Sequence, residues 1–149
     1  MGFMRPGNPA YLLEDIIALE PTSLPAAPRV LNKIHDAIKA KISGQHTLVG
    51  KAFNKALEIK VGNLREKQQL THAVFDPLLF NKIKIGLGLR NVKNLTSGGA
   101  PLSPEVHDFF RAILSVPILQ GYGMTENGAS TTITSLTGDH ATNGVSFKV

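Results

Sequence analysis

The chain has 149 residues, of which 42% are hydrophobic and 18% charged, and its formal net charge is +5. This length and composition predict one ordinary folded domain and exclude a disordered chain. Because there is no cysteine, disulfides, thiolate metal sites and a cysteine nucleophile are excluded as well, although this absence does not identify a compartment.

Apolar spacing predicts helices in the first half of the chain. Residues 11–19 form a short helical candidate that ends before Pro21, and a brief extended segment follows. Two adjacent surface helices come next, the first ended by Gly44 and the second near Gly62. Core packing is the expected role of their apolar stripes, which are Leu31, Ile34, Ile38 and Ile42, and then Leu48, Ala52, Phe53, Ala56, Leu57 and Val61.

Basic residues concentrate in these two helices, where nine Lys or Arg residues face three acidic ones. Their spacing among apolar residues indicates a solvated helical face, and a surface for anionic lipid headgroups or phosphates is the alternative. Phe53 is the one aromatic residue among them, so the stretch does not predict nucleic-acid binding. The nine residues are Arg29, Lys33, Lys39, Lys41, Lys51, Lys55, Lys60, Arg65 and Lys67.

Helices and strands alternate in the second half. Pro77 opens a third helical stretch that Gly86 and Gly88 end. After a strand at residues 92–96, Ser103 predicts an N-cap with Pro104 at the first helical position. Further strands are predicted at residues 116–119 and 130–136, the second rich in Thr. The buried candidates are Leu78, Leu79, Phe80 and Ile83 in the stretch opened by Pro77, and Val106, Phe109, Phe110 and Ile113 in the helix capped by Ser103.

A glycine loop follows each of the first two of these strands, and the two loops are the candidate site. In open α/β sheets ligands bind beyond the carboxyl ends of strands, so both loops are expected at one crevice. Glycines flanking Tyr122 let the backbone approach a ligand, Thr125 can hydrogen-bond an anionic oxygen, and Glu126 can ligate Mg²⁺. Each loop alone has a simpler reading: Gly98-Gly99 as a strand-to-helix turn and Tyr122 as a rim aromatic.

Together the loops resemble the adenylate-forming superfamily, whose members join a carboxylic acid to AMP and then pass the acyl group to a thiol. Residues 21–34, 75–84 and 116–119 extend the likeness, which is to the long-chain fatty acyl-CoA synthetase branch and runs from about Gly2 to Asp139. The resemblance implies an α/β fold, part of the large N-terminal adenylation domain, with a parallel-type sheet flanked by helices.

The resemblance also implies a role for each loop residue. The first loop would lie along the adenine and the acyl end of the adenylate, and Tyr122 would pack on the adenine. Thr125 would hold the α-phosphate and Glu126 would ligate Mg²⁺. The implied substrates are ATP, a long-chain fatty acid and coenzyme A, with AMP as a product. The residues so assigned are Gly98, Gly99, Ala100, Pro101, Gly121, Tyr122, Gly123, Thr125 and Glu126.

Parts that such an enzyme needs are missing from the 149 residues. No lysine-ended phosphate loop occurs before Gly98, and Asp139 of Thr137-Gly138-Asp139 lies too near the tyrosine loop to be the ribose-binding aspartate. We therefore expect residues 1–149 to be a partial AMP-binding domain, inactive alone, with the C-terminal lysine-bearing domain absent. The alternative is a truncated non-catalytic relative that binds a lipid membrane or a protein through the basic helices.

Targeting signals are not evident. No apolar run approaches the roughly 18 residues of a membrane-spanning helix, and no signal-peptide pattern opens the chain. We expect a cytoplasmic protein whose only membrane contact is peripheral. The five histidines are dispersed without metal-ligand spacing, and no Ser has a neighbouring His and acid, so neither a histidine metal site nor a hydrolase is predicted.

Overall fold

The structure, a computed structural model, describes residues 11–43, 48–127 and 132–134. Its helices are α1 (Leu12–Leu19), α2 (Pro28–Ser43), α3 (Leu48–Lys67), α4 (Asn81–Gly86) and α5 (Pro104–Leu114), with a π-helical turn at Asp76–Phe80 directly before α4. The strands are β1 (Ser23–Pro25), β2 (Asn94–Gly98), β3 (Ile118–Tyr122) and β4 (Thr132–Ile133). None of the described helices is long and apolar enough to cross a bilayer.

The four strands form one sheet in the order β1-β2-β3-β4. The first three are mutually parallel, and β4 pairs antiparallel with β3. The predicted parallel-type sheet is therefore confirmed, with an antiparallel edge strand whose orientation the sequence does not indicate. Because parallel strands end at the same edge of a sheet, the segments after β1, β2 and β3 meet there.

Helix α5 forms the centre of the core. It packs against α2, α3, α4 and β3, and every residue from Val106 to Leu114 is buried. The predicted N-cap is confirmed, since the Ser103 hydroxyl accepts a hydrogen bond from the Val106 amide at 3.3 Å and Pro104 occupies the first turn. The helix that begins directly after the first glycine loop is therefore fixed by packing against several elements.

The predicted starts of two strands are two residues too early. The strands expected at 92–96 and 116–119 begin instead at Asn94 and Ile118. Val92 and Val116 are buried at 3% and 6% exposure, so their apolar character reflects core packing in the turns that precede each strand. In the region predicted as the Thr-rich strand, residues 132–133 form β4 and Thr134 follows it without strand structure. The rest of that predicted strand lies outside the described residues, as do Gly44 and Asp139.

Helix predictions are confirmed in number and place but not in every detail. Helix α3 continues past Gly62 to Lys67, because Leu64, 2% exposed, anchors a further turn. Ala52 is exposed, so it is not part of the buried stripe. Leu78 is also wrong as a buried residue: it is 61% exposed, because the π-helical turn changes the angular spacing. The predicted burial of Phe80 is confirmed, at 0% exposure.

Lys60 corrects the prediction of a solvated basic face. Its side chain is only 1% exposed and forms an ion pair with Asp76. Burial lowers the pKa of the Lys60 ammonium below its ordinary value, and the hydrogen bond and charge of Asp76 oppose that shift. Arg65 is also paired, donating to Asp108 of α5 at 2.7 Å. The basic helices therefore use part of their charge inside the fold.

Candidate functional site

The two glycine loops begin side by side at the carboxyl edge of the sheet. Gly98 of β2 and Gly121 of β3 are register partners. A Cβ atom on Gly98 would lie 3.0 Å from the carbonyl oxygen of Gly121, so a side chain there would press on the neighbouring strand. Gly99 has a φ of +83°, a left-handed conformation that favours glycine and turns the chain toward α5. The glycines therefore leave two bare backbones next to each other.

A cavity of about 340 Å³, the loop cavity, lies between the two loops. Its walls come from both predicted segments and from one residue beyond β4. This observation brings together the residues singled out in the sequence around Gly99 and Tyr122. The lining residues are Gly99, Ala100, Pro101, Gln120, Gly121, Tyr122, Gly123 and Thr134.

A second space of about 470 Å³, the edge cleft, continues from the same loops to the end of β1. Pro25, Ala26 and Ala27 form its far wall, and the Ala26 amide donates to the Thr96 carbonyl at 2.8 Å. Ser97 also lines it; this side chain is 2% exposed, and its hydroxyl has no hydrogen-bond partner among the described residues.

Tyr122 stands between the two spaces and lines both of them. Its side chain is 55% exposed. An aromatic ring held beside bare glycine backbone offers a flat apolar surface to a planar ligand. Both interpretations of Tyr122, a stacking surface for the adenine and a rim aromatic, stay predictions.

Thr125 and Glu126 lie just past these walls, in the 3-10 turn Thr125–Asn127. Both side chains are exposed, and neither lines the loop cavity or the edge cleft. Within the described part of the chain, no ion pair engages Glu126. No group of three His, Asp or Glu residues there could hold a metal unaided. A lone carboxylate fits Mg²⁺, which proteins often bind through one or two carboxylates together with substrate phosphates.

Gln120 is a site residue to which sequence reasoning assigned no role. Its backbone pairs with Thr134, and its side-chain oxygen accepts a hydrogen bond from the Leu102 amide at 3.4 Å. The side chain therefore joins β3 to the end of the first glycine loop. The sequence shows that Gln120 lies directly before Gly121. It does not show the contact with Leu102, because that contact depends on how β2 and β3 pair.

A larger apolar groove of about 590 Å³ lies between α1, β1 and the start of α2. Asp15 and Ser23 are the polar side chains in its lining, and it meets the edge cleft only at residues 25–27. It contains none of the predicted site residues. The two loops, and not this groove, bring together the residues that the sequence singles out around Gly99 and Tyr122.

Comparison with known proteins gives consistent matches. Residues 1–147 match the AMP-binding enzyme family. Long chain acyl-CoA synthetase 5 of Arabidopsis thaliana is 39% identical over 133 residues, which cover 88% of this chain and 20% of that protein. The chain therefore spans about a fifth of the length of this relative.

Two solved adenylation domains share the fold. That of a carboxylate reductase from Mycobacterium chelonae is 30% identical with a TM-score of 0.54. That of a carboxylic acid reductase from Segniliparus rugosus, solved in complex with AMP and a co-purified carboxylic acid, is 26% identical with a TM-score of 0.50. Each match covers 78% of this chain and 15% of the solved one.

Proposed function

Because this chain belongs to the AMP-binding enzyme family, we propose that it supplies part of the adenylation site of a long-chain fatty acid–CoA ligase. The observation that carries the proposal is the pairing of Gly98 with Gly121, which sets two glycine loops and Tyr122 around two spaces that share lining residues. The synthetase relatives and the adenylation-domain neighbours support the same reaction class.

In this proposal the loops bind and orient the nucleotide. Tyr122 stacks on the adenine, whose plane lies against the bare backbone of Gly98 and Gly121. Thr125 donates its hydroxyl to an oxygen of the α-phosphate, a charge-assisted hydrogen bond. Glu126 would hold Mg²⁺, which when bound offsets the negative charge of the phosphates.

The reaction would have two steps. A carboxylate oxygen of the fatty acid attacks the α-phosphorus of ATP, and pyrophosphate leaves. The thiol of coenzyme A, after losing its proton, then attacks the acyl carbon, and AMP leaves. Neither step requires a covalent bond to this chain, so its residues need only bind, orient and stabilise charge.

We also propose that residues 1–149 are part of a larger adenylation domain, since the chain spans 20% of the synthetase that it resembles. A non-catalytic membrane- or protein-binding module is not favoured, because the related proteins are synthetases and adenylation domains. Peripheral membrane contact by the basic helices stays a prediction from the sequence.

The 149-residue chain alone should release no pyrophosphate from ATP in the presence of palmitate, whereas a complete synthetase containing it should. The reason is that the phosphate loop and the C-terminal lysine implied by the family resemblance are not identifiable in this sequence. Pyrophosphate release measured for both proteins is the test. A complete synthetase that releases none would contradict the proposed function, and turnover by the short chain would show that fewer residues suffice.

A further inference from the structure

A buried polar cluster lies at the end of α5 opposite the glycine loops. Lys60 of α3 pairs through its Nζ with the carboxylate of Asp76, at the start of the π-helical turn. The same Nζ donates to the Ser115 hydroxyl at 2.7 Å. Ser115 follows α5 directly and donates in turn to Asp76 at 3.3 Å. Three elements separated in sequence are thus joined at one buried ammonium, which lies 4.8 Å from the centre of the Phe80 ring.

Both oxygens of the Asp76 carboxylate accept hydrogen bonds. Asp76 also accepts a hydrogen bond from the His72 amide at 2.8 Å. A second lysine, Lys84, donates to the Leu114 carbonyl at 2.9 Å. Two ammonium groups therefore meet the carboxyl end of α5, where the last carbonyls lack helical partners and the helix dipole is negative.

Ser115 is the residue at which the chain turns from α5 into β3. Its φ is +54°, a left-handed conformation that is unfavourable for a non-glycine residue. Its hydroxyl is bonded on both sides, to Lys60 and to Asp76. The cluster therefore holds the turn in one geometry, and β3 begins only three residues later, at Ile118.

At its other end β3 reaches the pair Gly98 and Gly121, where no side chains interlock between the two strands. The register there depends on backbone pairing and on the hydrogen bond from the Leu102 amide to the Gln120 side chain. A buried ion pair, for its part, is seldom better for stability than apolar side chains, and its best-attested role is to specify one arrangement. The arrangement available here is the path from α5 into β3.

We propose that Lys60 and Asp76 are positioning residues for the nucleotide site. Through Ser115 they fix the turn into β3, and so the place of Tyr122 beside Gly99. The identity of the ligand rests on the proposed function. The positioning itself is a property of the fold and is measurable without a ligand.

The test uses a complete synthetase carrying the double substitution Lys60→Met and Asp76→Leu. Removing both charges avoids leaving one of them buried and unpaired, so the protein should still fold. Lys55→Met is the matched control, because Lys55 lies on the same helix but is exposed, and its ion pair among the described residues is with the exposed Glu58. Two measurements are made on each protein: amide hydrogen exchange without ligand, and the KM for ATP with palmitate.

In the double variant we expect faster amide exchange at residues 120–122 and a KM for ATP about tenfold higher, with the control unchanged in both. A purely structural role would lower the melting temperature and speed amide exchange throughout the core, with no selective increase at residues 120–122 and no change in the KM for ATP. Unchanged exchange at residues 120–122 would overturn the positioning role. Faster exchange with an unchanged KM would support positioning and contradict the assignment of the nucleotide to these loops.

Discussion

Glu126→Gln in a complete synthetase should lower adenylation of palmitate by about 100-fold at limiting Mg²⁺. Glutamine keeps the shape and hydrogen-bonding capacity of the side chain but removes the charge that would hold the metal. Because Glu126 is exposed and has no ion pair within the described part of the chain, the free energy of unfolding should change by less than about 0.5 kcal/mol. Exchange of pyrophosphate into ATP measures the first quantity, and urea denaturation the second.

The control for this substitution is Glu58→Gln, which removes an exposed carboxylate of α3 that pairs with Lys55 at 3.3 Å. It should leave adenylation unchanged. Thr125→Val should also impair adenylation, since it deletes one hydrogen bond to a charged group, about 1.5–3 kcal/mol. Near-normal exchange by Glu126→Gln when Mg²⁺ is scarce would remove the metal role assigned to this turn.

Gly88→Ala should destabilise the fold by about 3 kcal/mol or more. Gly88 has a φ of +68°, and a Cβ atom there would lie 2.3 Å from the Cα of Ile17 and 2.8 Å from the carbonyl oxygen of Ile16. Both are backbone atoms of α1, so no flexible side chain can move aside. The substitution must displace α1 or the turn after α4, and Ile16 is part of the core.

Gly86→Ala is the matched control for this effect. Gly86 ends α4, its φ is not positive, and nothing lies within 4 Å of a Cβ built on it. Alanine favours helix more than glycine by up to about 1 kcal/mol, so this variant should be neutral or slightly more stable. Urea midpoints of the two variants give the comparison. Equal midpoints would show that the close contact between Gly88 and α1 does not exist in solution.

Local patterns predicted the elements of this fold, but not their ends. Apolar spacing located all the helices that the described residues contain, yet it ended α3 at Gly62 and buried Leu78. A glycine inside a helix costs little when packing continues beyond it, as Leu64 shows. Leu78 fails because periodicity assumes 3.6 residues per turn, which the π-helical turn does not have.

At the site, the contacts that the sequence did not predict are those that depend on pairing between distant strands. The glycine loops were evident because each follows a strand, and parallel strands bring their ends together. The wall at Ala26, the bond from Leu102 to Gln120 and the position of Thr134 depend on strand register, which no local pattern reports. Lys60 was assigned to the solvated face because the basic residues are spaced among apolar ones, and its partners lie 16 and 55 residues away, where no local pattern reports them.

The location of the nucleotide is tested most directly by photo-crosslinking. A complete synthetase would be irradiated with an azidoadenine analogue of ATP and Mg²⁺, and the labelled peptides identified by mass spectrometry. We expect label in both loops, within residues 98–102 and 120–126, and protection of both by excess ATP. Label confined to the apolar groove between α1, β1 and α2, with both loops unlabelled, would contradict the account.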